Sequence, residues 1–209
     1  LQRLLFDHTT QRNIFWATDD YTTLGDAYKY DAPITTDSIT GEHGSVIQPR
    51  VLKSKEEQAN RTKDKAEVFT PSWVCNAQNN LIDEAWFGRK DVFNIEQSET
   101  KTWIATTEPI TFPEGKTWKD YVCSTRMEIT CGEAPYLVSR YDTTTGEFIP
   151  IPQRIGMLDR KLRIISENTS STGEWLKMAQ KAYKNIYAYE WQGDNLLLAR
   201  EALLITFIE

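Results

Sequence analysis

Two short stretches join polar residues to backbone geometry that can receive a small ligand. In "FTPSWVCNAQNNLIDEAWFG", Thr70 is expected to cap a helix and Pro71 to open it, because a missing N–H costs nothing at that position. The hydroxyl and free N–H groups of such an end suit a small carboxylate. In "MEITCGEAP", a strand is expected to run into the turn Cys131-Gly132-Glu133-Ala134, where Gly132 lets the backbone approach a ligand closely. Pro135 is then expected to open a short helix over "YLVSRYD". Strand, tight turn and helix make half of a nucleotide-binding α/β unit. One glycine is too few for the Gly-rich loop that cradles phosphates.

The elements that must position these residues follow from pattern. Val74, Ala77, Leu81 and Ala85 form one apolar stripe after Thr70, and Gly88 is the expected stop. "IYAYEW" reads as a second strand, ending near Glu190 and Trp191, and "QGDNLLLAREALLITFI" as a helix capped by Asp194. Between the two strands lies an insertion, about residues 143–184, with helices expected near "MLDRKLRIISEN" and "TGEWLKMAQKAYKN". "TWIATTEPITFPEGKTWKDYV" reads as loops and a short edge strand. Residues 25–51 are rich in turn formers and read as a loop-rich arm. In "RVLKSKEEQANRTKDKAEVF" the cations Arg50, Lys53, Lys55, Arg61, Lys63 and Lys65 outnumber the acids. A solvated charged helix is the first expectation there, and a phosphate-facing strip the second. The expected organisation is a loop-rich and helical extension over 1–65, followed by an α/β domain over 66–209.

A chain of 209 residues is long enough for one substantial core. Its net charge of −6 repels polyanions, so any contact with nucleic acid needs a local basic patch. Cys75, Cys123 and Cys131 lack metal-type spacing and fit buried free thiols in a reducing compartment, which makes the cytoplasm the expected location. No apolar run has the length of a membrane span. The dehydrogenase fingerprint Gly-x-Gly-x-x-Gly is missing after the candidate strand, His8 and His43 lie in irregular sequence, and no metal ligand or catalytic residue is assigned. The chain opens on Leu1 rather than Met, and its last helix has no stop signal before Glu209. A piece of a longer chain is therefore expected.

Taken in order, "AEVFTPSWV", "MEITCGEAPYLV" and "IYAYEWQGDNLLLAR" resemble the cofactor-binding half of adenine-specific DNA methyltransferases, the modification subunits of restriction–modification systems. The resemblance implies part of a Rossmann-like fold for S-adenosyl-L-methionine-dependent methyl transfer, with 143–184 as a helical insertion and the domain truncated at its C-terminus. It implies that Thr70 meets the methionine carboxylate and that Glu128 attracts the ammonium. Cys131 and Gly132 would pass close to the methionine part, Glu190 would accept the ribose hydroxyls, and Trp191 would stack on adenine. DNA would be reached through a missing C-terminal part or a specificity subunit, with a nuclease or specificity subunit as candidate partner. The family transfers its methyl group at an Asn/Asp-Pro-Pro-aromatic motif, and these 209 residues contain no Pro-Pro pair. The chain alone is expected not to methylate DNA. The competing expectation is a degenerate, non-catalytic methyltransferase-like module that binds DNA or a partner subunit.

Overall fold

The structure is a computed structural model that describes residues 1–209. In chain order it contains helix α1 (Gln2–Leu5), strands β1 (Phe6–Asp7) and β2 (Arg12–Asn13), and helices α2 (Lys55–Lys65) and α3 (Ser72–Phe87). Strands β3 (Asn94–Gln97) and β4 (Thr102–Ala105), helix α4 (Trp118–Cys123) and strand β5 (Arg126–Ile129) follow. Helices α5 (Met157–Asn168) and α6 (Thr172–Lys184), strand β6 (Ile186–Tyr189) and helix α7 (Gly193–Ile208) complete the chain. The fold is mixed α/β. Its strands pair as three two-stranded sheets, β1 with β2, β3 with β4, and β5 with β6. The first two are antiparallel. The Arg126 N–H meets the Asn185 carbonyl and the Cys131 N–H that of Tyr189, so β5 and β6 run parallel, joined by a connection that includes α5 and α6. No helix is long and apolar enough to cross a membrane.

The chain divides into two compact units. The first takes residues 1–69, 129–133 and 189–209. Its core is Leu5, Ile14, Trp16, Tyr28, Ile34 and Leu197, so the loop-rich arm is pinned by aromatic and branched side chains rather than by regular structure. Single-turn 3-10 helices account for much of residues 22–52. A Ser54/Glu57 capping box starts α2, but the basic run around it is not a uniform strip. Arg50 and Arg61 pair with Glu67, and Lys53 with Asp194, while Lys55 and Lys63 face solvent. Half of the six cations are thus consumed inside the unit, which leaves the solvated-helix expectation correct for the other face.

The second unit takes residues 70–128 and 134–188. Here α5 and α6 form in the two stretches where helices are expected, whereas α4 was not anticipated; its Thr117/Asp120 capping box starts a six-residue helix in sequence read as loop. The helix expected over "YLVSRYD" is absent. Ala134 adopts a left-handed φ of +61°, a single turn follows in which Leu137 and Val138 N–H meet the Ala134 carbonyl, and Ser139 is then held by the buried Asp159 carboxylate. These tertiary bonds outcompete the local preference. Gly156 allows the close approach, since a Cβ there would lie 2.3 Å from the Leu137 carbonyl oxygen.

Lys161, also in this unit, is fully buried, and its ammonium donates to the Ser124 and Asn185 carbonyls. Burial, reinforced by the neighbouring Arg126, pulls it down to about 7, against a smaller opposing effect of Cys123. Above that value the folded chain has released a proton that the unfolded chain still holds, so stability rises with pH until the ordinary lysine range is reached. The unfolding free energy of the native chain, from urea titrations, is expected to gain on that of Lys161→Met between about pH 7 and about pH 9.5, by up to about 3 kcal/mol. Parallel curves would show that the ammonium is not held in this way.

Candidate functional site

The turn after β5 is built on strain that a loop of free choice would avoid. Thr130 and Gly132 both have left-handed φ, +54° and +53°; glycine adopts this readily, but a β-branched threonine does so only when its surroundings impose it. The Cys131 N–H is held by the Tyr189 carbonyl at 2.9 Å, and the Gly132 N–H donates to Glu190 Oε2 at 2.7 Å. The turn and the end of the second strand are therefore one constellation, formed by residues 58 apart in the chain. Phe69 closes one side of it. A Cβ on Gly132 would lie 3.3 Å from the Phe69 ring, and the Arg50 guanidinium stands over the same ring at 5.3 Å.

Glu190 is held by the backbone on both oxygens. Oε1 accepts the Trp191 and Gln192 N–H groups at 2.9 and 3.0 Å, while Oε2 accepts only that of Gly132. A carboxylate offers about four acceptor sites, so the free capacity lies on Oε2. Glu133, inside the turn, is buried and accepts the Arg50 N–H at 2.7 Å. Trp191 is 68% exposed, and its indole N–H donates to the Tyr30 hydroxyl at 2.9 Å. The first unit thus brings together Cys131, Gly132, Glu190 and Trp191.

Asp194, expected as a helix cap, is not one. Gln192 takes the cap position of α7, and Asp194 is fully buried in its first turn, accepting from Tyr21 at 2.7 Å and pairing with Arg61 at 2.9 Å and Lys53 at 3.4 Å. A cleft of about 510 Å³ in this unit is lined by Asp20, Tyr21, Lys53 and Arg61 among others, and by none of the candidate residues.

The remaining two candidates lie in the second unit. Thr70 is not the cap of α3, because Pro71 stays extended at ψ 145° and itself takes that position, with Ser72 as the first helical residue. The cap bond comes from elsewhere: the Ser72 N–H donates to Asp142 Oδ2 at 2.7 Å. Burial opposes the charge of Asp142, but hydrogen bonds from Thr144, Ser72 and Thr145 outweigh it and pull the carboxyl down to about 2. This helix end therefore already carries a carboxylate of the chain itself. The Thr70 carbonyl accepts from Thr143 Oγ1 and from the Cys75 thiol. Burial, then the nearby charge of Glu128, pushes that thiol up to about 12, which leaves it an inert packing group. Glu128 is buried, and its carboxylate receives the Tyr136 and Leu137 N–H groups at 3.4 and 3.2 Å.

Sequence reasoning passed over Phe15, Tyr30, Phe69 and Asp142. Only Phe69, directly before Thr-Pro, carried a local signal. All three cysteines are free thiols, but Cys123 is exposed, against the expectation that all would be buried. Comparison with protein-family models, with curated proteins and with solved structures finds no match to this chain.

Proposed function

We propose that the chain is the S-adenosyl-L-methionine-binding part of a DNA adenine methyltransferase of a restriction–modification system, with part of a Rossmann-like domain as its scaffold. The observation that carries this reading is the Gly132 N–H to Glu190 bond at 2.7 Å. It ties a strained glycine turn at the end of one parallel strand to an acidic residue just past the end of the other, which is where open α/β sheets bind nucleotides. Glu190 would use the free capacity of Oε2 for the ribose. Its Oε1, fixed by two backbone N–H groups, holds the carboxylate in orientation. DNA, and a specificity or nuclease subunit, belong to the reading as partners.

A second reading is favoured by one specific feature: the polar groups that the resemblance assigns to the cofactor already have partners inside the chain. Asp142 occupies the start of α3, two N–H groups occupy Glu128, and three occupy Glu190. A non-catalytic methyltransferase-like module would look the same. Calorimetry separates the two. The native chain is expected to bind S-adenosyl-L-methionine, Glu190→Gln to weaken that binding about tenfold or more, and neither to methylate DNA. No heat at about 1 mM ligand, in a sample that is folded by circular dichroism, favours the module.

A further inference from the structure

We infer that the N-terminal extension forms part of the proposed cofactor site: Phe15 and Tyr30, with Trp191, make the aromatic surface that receives the adenine ring. The inference rests on the S-adenosyl-L-methionine reading.

Three large rings meet at the surface of the first unit. Phe15 and Tyr30 are each 39% exposed and Trp191 is 68% exposed. Phe15 lies edge to face with Trp191 at 6.2 Å and 89°, and Phe15 and Tyr30 are 6.4 Å apart. Single exposed aromatics need no explanation, but a contiguous patch does, because it leaves apolar area in water that folding would otherwise bury. Trp191 is nonetheless fixed, through the bond from its indole N–H to Tyr30. Held at its rim and two-thirds exposed, it keeps an open face. None of the three side chains is charged, so the patch suits a planar ring, which can stack, better than a carboxylate, which the negative ring faces repel.

The extension is locked to this place. The Gly193 N–H donates to the Trp16 carbonyl at 2.9 Å, and a Cβ on Gly193 would lie 2.0 Å from the Phe15 carbonyl oxygen. Backbone this close is possible only beside glycine. Phe15 is also bridged to Pro33, which draws the Tyr30 segment alongside. Glu190 and Trp191 are consecutive, as a ribose and its base are directly joined, so a nucleoside held by Glu190 through its hydroxyls has the patch as its neighbour.

The test is calorimetry and tryptophan fluorescence on the full chain with S-adenosylhomocysteine and, separately, adenosine. Phe15→Leu and Tyr30→Leu are each expected to weaken both ligands about tenfold. Tyr30→Phe keeps the ring, loses only the bond to Trp191, and is expected to weaken them less. It serves if a leucine variant fails to fold. Ligand-induced quenching is expected in the native chain and lost in Trp191→Phe. Unchanged affinity in folded Phe15 and Tyr30 variants, with binding still weakened by Glu190→Gln, overturns the inference and leaves the cofactor reading standing. Failure of the native chain to bind S-adenosylhomocysteine overturns both.

Discussion

An Asp194→Asn variant is expected to unfold with about 3 kcal/mol less stability than the native chain at pH 7, because it removes the central charge of a buried network. The Asp194 carboxylate receives the Tyr21 hydroxyl and the Asn195 N–H, and pairs with Arg61 and Lys53. Arg61 keeps Glu67 at 2.6 Å and Asp20 at 2.8 Å, so it stays compensated, whereas the nearly buried Lys53 ammonium loses its partner. An amide in that position would also turn an N–H₂ group toward donors. Burial opposes ionisation of Asp194, but Arg61, then Lys53 and the Tyr21 hydrogen bond, hold it below the usual carboxylate range. Glu67 is lowered too, with Arg61 and Asn195 overcoming its burial. The stabilisation from Asp194 is therefore complete above the ordinary carboxylate value and is lost as pH falls through the lowered one. Urea titrations should show the native chain losing its advantage over Asp194→Asn below about pH 4. A constant difference down to about pH 2 would mean that the carboxylate is not held by these cations.

That network also marks what a sequence can and cannot reveal. Asp194 precedes an apolar run, which is the local signature of a helix cap, yet its partner Arg61 comes 133 positions earlier and lies in a stretch whose composition suggests solvent. Composition counts charges but not their directions. The start and stop of α3 were legible to within a residue or two, with Gly88 at φ +72° as its C-terminal stop, because proline and glycine act through their own backbone. The capping carboxylate was not legible, since Asp142 follows Ser72 by 70 positions. α5 and α6 lie in the two stretches where helices are expected. "YLVSRYD" is expected as a helix because Pro135 suits a first helical position, and it fails because Ala134 turns left-handed and Asp159 captures Ser139. In the candidate site, the turn and Glu190 could be read from strand ends and one glycine, whereas Phe15 and Tyr30 sit in irregular sequence where no period announces a neighbour.

The second large effect is expected in the other unit, at Arg160. This guanidinium is 1% exposed, pairs with Asp83 at 2.6 Å, and donates to the side-chain oxygens of Asn76 and Asn80 at 2.9 and 2.8 Å, with Phe93 beneath it. Asp83 is buried as well and otherwise has the Tyr121 hydroxyl at 2.7 Å and Arg126 only at 3.8 Å. Arg160→Met leaves that buried carboxylate with only Arg126, at 3.8 Å, as a cation, at a cost of about 3–5 kcal/mol. Adding Asp83→Asn removes the orphaned charge, so the double variant should be more stable than the sum of the single effects allows, by about 2 kcal/mol. Additive losses would reduce Arg160 to a packing residue. The consequence reaches the candidate site through α3, which Arg160 holds at Asn76, Asn80 and Asp83. On the same helix, Asn79 donates to the carbonyls of Tyr136 and Ile155, and the Tyr136 and Leu137 N–H groups are those that meet Glu128. Hydrogen exchange at these two amides should therefore accelerate in Arg160→Met, at temperatures where the variant is still folded, and return toward the native rate in the double variant. Unchanged exchange would separate the stability of the network from the placement of Glu128, because the amides would then be held without help from α3, by the carboxylate and, for Leu137, the Ala134 carbonyl.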